Sequence, residues 1–214
     1  MRGTYSGGTA ASLLATMAAA AKDPSVTALL RNPFALTPGF EAPRQPLGLL
    51  PKYDPDVGRW VAPFVMAPIN TRNVHRSNAL MGHPYGTDFV YDEMMVAGTE
   101  AAASAIAGAI SSIARLGGLK PGDGPSKEER EAGFYDILFI GLTPEGKQVR
   151  VSVSGDRDPG YGSTSKMIAE SAICLVRDAI DTPGGVWTPG AAMGRRLIDR
   201  LVANAGLTFQ VESK

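Results

Sequence analysis

The residues best equipped for chemistry in this chain fall into two short clusters. The first is the turn Gly155-Asp156-Arg157-Asp158-Pro159-Gly160-Tyr161-Gly162-Ser163-Thr164-Ser165-Lys166, which sets two carboxylates, a guanidinium and a phenol among flexible glycines. The second is Asn70-Thr71-Arg72-Asn73-Val74-His75-Arg76-Ser77-Asn78, inside a stretch from Val57 to Thr87 that contains no carboxylate but includes Arg59, Arg72 and Arg76. Arg72 and Arg76, at i and i+4, share one face of a helix. Such a pair can grip a carboxylate or phosphate bidentately. The alternatives are a solvated face, or arginines paired with acids elsewhere in the fold. His75 is either a hydrogen-bonded structural histidine or an acid–base group.

The turn is flanked by elements that would position it. Upstream, Val149, Val151 and Val153 alternate with polar residues from Gln148 to Ser154, as a half-buried strand does. Downstream, Ile168, Ala172, Leu175 and Ala179 predict the buried stripe of a helix, with Lys166, Glu170, Arg177 and Asp181 on the opposite side. The helix start exposes unpaired N–H groups, which suit an anion. Gly160-x-Gly162-x-x-Ser165 approaches the dinucleotide fingerprint, yet no second strand with an acidic residue follows about twenty positions on. Walker A spacing also fails at Lys166. Three readings remain open: a phosphate loop, a structural glycine turn with a capped helix, and a substrate-facing turn. Both clusters follow strands, which predicts one ligand site shared by Asn70–Arg76 and Arg157–Tyr161. Arg72 or Arg76 would pair there with Asp156 or Asp158 when no ligand is bound.

The remaining elements predict an α+β fold, a mostly antiparallel mixed sheet covered by helices. A helix beginning after Ser6 or Thr9 runs to Lys22, and a short one spans Ser25 to Arg31. A proline-rich arm (Pro33, Pro38, Pro43, Pro46, Pro51) then excludes long helix and central strand. Arg59 to Ala67 reads as a strand in which Pro63 marks an edge or bulge, and Phe89 to Met95 as another. Thr99 to Leu116 reads as a helix of small residues whose Ser104, Gly108 and Ser111 side is smooth enough to pack on a second subunit. Ser126 with Glu129 forms a capping box. Tyr135–Leu142 and Gln148–Ser154 form a hairpin through Thr143–Lys147, followed by a helix over Ala191–Asn204 and a strand over Leu207–Glu212.

Composition excludes several classes. At 214 residues there is room for one sizeable core or two small ones. Lys plus Arg is 21 and Asp plus Glu is 21, so no net field draws in nucleic acid. With one cysteine, Cys174, there is no internal disulfide, and with two histidines and no cysteine pair a metal site is not expected. No transmembrane segment or signal pattern is visible, so the sequence reads as soluble and cytoplasmic.

Several blocks together resemble the C-terminal region of saccharopine dehydrogenase-like oxidoreductases, in particular the trans-acting enoyl reductases. They are Tyr5-Ser6-Gly7-Gly8-Thr9-Ala10-Ala11-Ser12, Phe64 through Arg72 with Arg76-Ser77-Asn78-Ala79-Leu80, Gly155 through Tyr161, Lys166 through Leu175, Gly184 through Pro189, Ala192-Met193-Gly194 and Ala205 through Phe209. The resemblance implies an NAD(P)-dependent enzyme of lipid metabolism that adds hydride to an enoyl or acyl substrate. It implies that residues 1–214 form a single substrate-binding and dimerisation domain, with the N-terminal Rossmann domain absent or supplied by a separate polypeptide. NADP or NAD would then bind only where that domain is supplied, and the chain alone would be inactive. The catalytic candidates are Asn70, Arg72, His75 and Tyr161, and the substrate-binding candidates are Arg72, Arg76, Arg157, Asp158 and Tyr161. Ser6, Gly7, Gly8 and Thr9 are the weak cofactor-binding candidates. A small acyl or lipid substrate and a homodimer are the expected partners, and a non-catalytic dimerisation or interaction module is the alternative.

Overall fold

The computed structural model describes residues 7–40, 43–111, 120–178 and 180–212, and for 110 and 111 the backbone alone. Among these residues the fold is α+β, with seven helices and two three-stranded antiparallel sheets instead of one larger sheet. The chain divides into two compact units, Ser12–Gly118 and the combination of Met1–Ala11 with Leu119–Lys214. The boundary falls inside helix α1, Gly7–Lys22.

In the Ser12–Gly118 unit, α2 (Pro24–Arg31) starts where Asp23 accepts the Ser25 N–H at 2.8 Å and Pro24 occupies the first turn. Strands β1 (Lys52–Asp54), β2 (Arg59–Pro63) and β3 (Met94–Gly98) pair in that order. Asp54 closes the β1–β2 turn by accepting the N–H groups of Asp56 and Val57. Pro63 does not mark an edge. It is the last residue of the central strand, opposite Met94, where its missing N–H costs no interior ladder bond, and the bulge lies at Trp60 and Val61. Helix α3 (Ala67–Leu80) follows at once, with Pro68 in its first turn.

The strand expected from Phe89 begins only at Met94. A side chain takes the place of a neighbouring strand before that point: Gln45 donates to the Phe89 carbonyl at 3.2 Å and accepts the Tyr91 N–H at 2.9 Å. The backbone of this segment is thus satisfied without a ladder. Helix α4 (Glu100–Ser111) buries Ala103 in the same unit as the buried β2 residues Val61 and Ala62. Residues 112–116 of the expected longer helix lie outside the described residues.

In the other unit, α5 (Lys127–Glu131) carries the expected capping box, Ser126 with Glu129. The hairpin of β4 (Tyr135–Leu142) and β5 (Gln148–Gly155) is in register from Tyr135 opposite Gly155 to Leu142 opposite Gln148, and β6 (Leu207–Val211) adds to β5. Alternation puts Tyr135, Ile137, Phe139, Val151, Val153, Leu207 and Phe209 on one face. Helices α6 (Gly162–Arg177) and α7 (Pro189–Asn204) complete the core, which gathers Cys174, Met193, Leu197, Leu201, Ala205 and Leu207.

Helix α6 is rotated from the orientation its apolar stripe predicts. Ser163 and Cys174 are buried and Met167 packs on the core, while Ile168 is 68% and Leu175 58% exposed. Ala179 lies outside the described residues. Polar contacts set the rotation. Arg200 of α7 holds Asp178 through two bonds of 2.7 and 2.8 Å and Glu170 at 3.0 Å, which turns these acids toward α7. The pairing draws the Asp178 carboxyl down to about 2 through its hydrogen bonds with Arg200 and Cys174, and raises the Arg200 guanidinium further. Burial, then Asp178, pushes the Cys174 thiol up, which disfavours a thiolate nucleophile.

Gly133 lies directly beneath the backbone of Asp158, so a side chain there would strike main-chain atoms. We expect Gly133→Ala to lower stability by about 1–3 kcal/mol, as forced overpacking does. Urea melts check this, and an unchanged midpoint would show that the close approach is unimportant.

Candidate functional site

Asp158 organises the glycine-rich turn. Its side chain is 0% exposed, and its two oxygens accept the N–H groups of Gly160 at 2.9 Å, Tyr161 at 3.0 Å and Gly162 at 2.6 Å. Its backbone accepts the Ser163 N–H and donates to the Arg130 carbonyl. Donors that open the turn and α6 are thereby filled by the protein's own carboxylate, which supports the structural reading of the turn. Gly155 lets the Tyr135 ring lie against the strand, and the Tyr135 hydroxyl meets Ser163 Oγ at 2.9 Å. Tyr161 covers Gly124 and remains 37% exposed. Arg157 lies 3.6 Å from Glu131, and Lys166 lies 4.0 Å from Asp156. Arg157 is thus paired at the surface, and Tyr161 is partly exposed there.

Helix α3 organises the second cluster. Arg72 Nη2 donates to the Leu30 carbonyl at 2.7 Å and Arg76 Nη1 to the Leu36 carbonyl at 3.1 Å. The two guanidiniums thus bond carbonyls of the last turn of α2 and of the segment that follows it. His75 is 3% exposed, stacked between Phe34 at 4.6 Å and Phe89 at 5.6 Å. Burial holds its imidazole below the ordinary value. The stacking continues through Phe40 to His83 and through Phe89 to Tyr85 and Tyr91, so rings fasten the proline-rich arm to α3. Asn70 donates to Glu93 Oε1 at 3.0 Å.

Glu93, Tyr91 and Gln45 escaped the sequence reading, and Asn78 entered it only as a member of the polar cluster. Asn78 is buried, donating to the Gly86 carbonyl and accepting the Tyr85 N–H, and so shapes the loop after α3. Glu93 left one trace in the sequence, a carboxylate alternating with aromatic residues in a run read as strand. Asn70, Arg72, His75 and Arg76 belong to the Ser12–Gly118 unit, and Arg157, Asp158 and Tyr161 to the other. Of the cofactor candidates, Ser6 lies outside the described residues, while Gly7, Gly8 and Thr9 open α1. Gly7 donates its N–H to the Asp123 carbonyl at 2.9 Å and packs against the Lys120 backbone, an approach of chain to chain and not of chain to phosphate. The Gly7 N–H is thus spent on the chain itself. Among them no group of three or more His, Cys, Asp or Glu could hold a metal ion, and no helix is long and apolar enough to cross a membrane.

Comparison with known proteins gives this geometry a context. The chain is similar to mycobacterial trans-acting enoyl reductases. A provisionally named trans-acting enoyl reductase of Mycobacterium tuberculosis is 39% identical over 238 aligned positions, covering 98% of this chain and 57% of that protein. The trans-acting enoyl reductases of Mycobacterium ulcerans and Mycobacterium bovis are each 35% identical over 226 positions, covering 92% of this chain and 54% of theirs. The chain therefore spans about half the length of the curated relatives it matches. No protein-family model and no solved structure matches it.

The chain carries a pH signature in His75. Unfolded, the imidazole takes a proton near about pH 6.5, but the buried ring resists it until lower pH. Stability therefore falls as pH drops below about 6.5, until the folded ring also titrates. Denaturant melts between about pH 7.5 and 5.5 should show this acid-side loss in the native chain and a smaller one in His75→Leu. Equal pH slopes in the two proteins would refute it.

Proposed function

We propose that this chain is the substrate-binding and dimerisation part of a nicotinamide-dependent enoyl reductase of the saccharopine dehydrogenase-like kind, acting in lipid metabolism. The supporting observation is similarity to named trans-acting enoyl reductases along 98% of the chain, at 39% identity. NADP or NAD would reside in a nucleotide-binding domain beyond the matched stretch, and the reduced nicotinamide would supply hydride. The glycine turns described here point the same way, since the Gly7 N–H and the donors of the Gly160–Gly162 turn are already engaged.

On this reading the chain binds and orients an acyl substrate. Tyr161 and Arg157 offer surface polar groups on one unit, and Asn70 offers an amide on the other. Arg72, Arg76 and His75 shape the α3 cluster from within, so their substitution would act through structure as well as through substrate. A non-catalytic interaction module is the second reading. The self-capped turn favours it, because Asp158 fills the donors that an anionic ligand would use.

Reduction of crotonyl-pantetheine, followed by loss of reduced-nicotinamide absorbance, separates the two. We expect turnover when the chain is combined with the portion of the M. tuberculosis relative that lies outside the matched stretch, and none from either part alone. Turnover should fall by about tenfold, or about 1.4 kcal/mol, in Tyr161→Phe, with the melting temperature unchanged. No turnover by the combination favours the interaction module.

The dimer is proposed from α4, where Ser104 and Gly108 are exposed and a Cβ at Gly108 would meet nothing within 4 Å. Gly108→Leu should therefore leave the fold of the chain intact while weakening self-association in sedimentation. A wild-type monomer across micromolar concentrations counts against the dimer.

A further inference from the structure

Among the described residues four strands stand at sheet edges: β1 and β3 in the Ser12–Gly118 unit, β4 and β6 in the other. A free edge displays unpaired N–H and C=O groups, and proteins guard it with short strands, charges, proline or a bulge. β1 has three residues, two of them charged, and β3 and β6 have only five each. Arg150 donates to Glu212, directly after β6, at 3.2 Å, which adds charge beside that edge. β4 is the least guarded of the four. It runs for eight residues, Tyr135–Leu142, in unbroken register with β5, without proline or a basic residue, and Asp136 is its only charge.

The side chains of β4 are as open as its edge. Ile137 and Phe139 on one face are 44% and 45% exposed, and Leu142 on the other is 57% exposed, beside the half-buried Leu138 and Ile140. A second copy of the chain fits this edge poorly. Because β4 carries no basic residue, every antiparallel register of two β4 strands sets Asp136 opposite a leucine, an isoleucine or the other Asp136. The relatives point to a different occupant. They match 98% of this chain with 57% of their own length, so a large further stretch of polypeptide accompanies the same sequence in them. A tethered segment meets a free edge at far higher effective concentration than a separate molecule does.

We propose that β4 seats an added strand contributed by that further stretch, which extends the β4-β5-β6 sheet at its β4 edge. Backbone hydrogen bonds to β4 supply the affinity, and alternate side chains supply the selectivity. The added strand is apolar where it lies beside Ile137 and Phe139 on one face and beside Leu138 and Ile140 on the other, and it carries Lys or Arg opposite Asp136. This rests on the two-part assembly proposed above and not on its hydride chemistry.

Hydrogen exchange read by mass spectrometry tests this on whole proteins. The outward amides of β4 should exchange fast in this chain, and those of the aligned segment about tenfold or more slowly in the whole M. tuberculosis relative. Equal rates in the two overturn the proposal. So does slowing of β4 as this chain is concentrated, which assigns the edge to a second copy. Overlapping synthetic peptides that tile the relative's unmatched stretch then locate the strand. One of them should slow β4 exchange in this chain and bind severalfold more weakly to Asp136→Lys, with the melting temperature of that variant unchanged. If no peptide slows β4, or if Asp136→Lys binds as tightly as the native chain, the proposal falls. Reconstituted turnover with β4 exchange unaltered removes the strand seat and leaves the reductase reading intact, whereas covering of β4 without turnover does the reverse.

Discussion

One buried carboxylate holds the C-terminal unit together. Asp158 has no exposure to solvent and no salt bridge among the described residues, so its desolvation must be met by hydrogen bonds, and three consecutive backbone N–H groups supply them. That requirement fixes the turn, the first residues of α6 and the place where α5 is tied to them through the Arg130 carbonyl. Gly133 follows from the same constraint, because only a residue without a side chain fits below the Asp158 backbone. Such a turn is rigid and already anion-filled, with the anion built in.

The Ser12–Gly118 unit solves a different problem. Its proline-rich arm has few ladder partners of its own, and side chains take their place. Gln45 stands in for a strand edge, Arg72 and Arg76 collect stray carbonyls, and the rings of Phe34, His75 and Phe89 provide the apolar contact. The small sheet and α4 bury Val61, Ala62 and Ala103, a modest core, so the arm's fastening matters to the stability of the unit.

These two units connect to function differently. The glycine-rich turn draws attention in the sequence because it resembles a ligand loop, but its donors are consumed internally. The α3 cluster has the opposite character: Asn70 and Glu93 meet at a half-buried margin, and atoms there remain unsatisfied. Similarity to trans-acting enoyl reductases along nearly the whole chain supplies the reaction class to be tested.

Local rules made the hairpin, the capping box of α5 and the α+β class legible, since alternation, turn residues and caps act within a few residues. The sequence alone also carried the resemblance to enoyl reductases, through blocks spread from Tyr5 to Phe209. Contacts far apart in the chain decided the rest. The buried face of α6 was set by Arg200 reaching Glu170 and Asp178, against the apolar stripe of Ile168 and Leu175. Gln45, more than forty residues from Phe89, delayed β3. Glu93 found its hydrogen-bond donor in Asn70, 23 residues away. A carboxyl's chemistry depends on what surrounds it, and its surroundings exist only once the chain has folded.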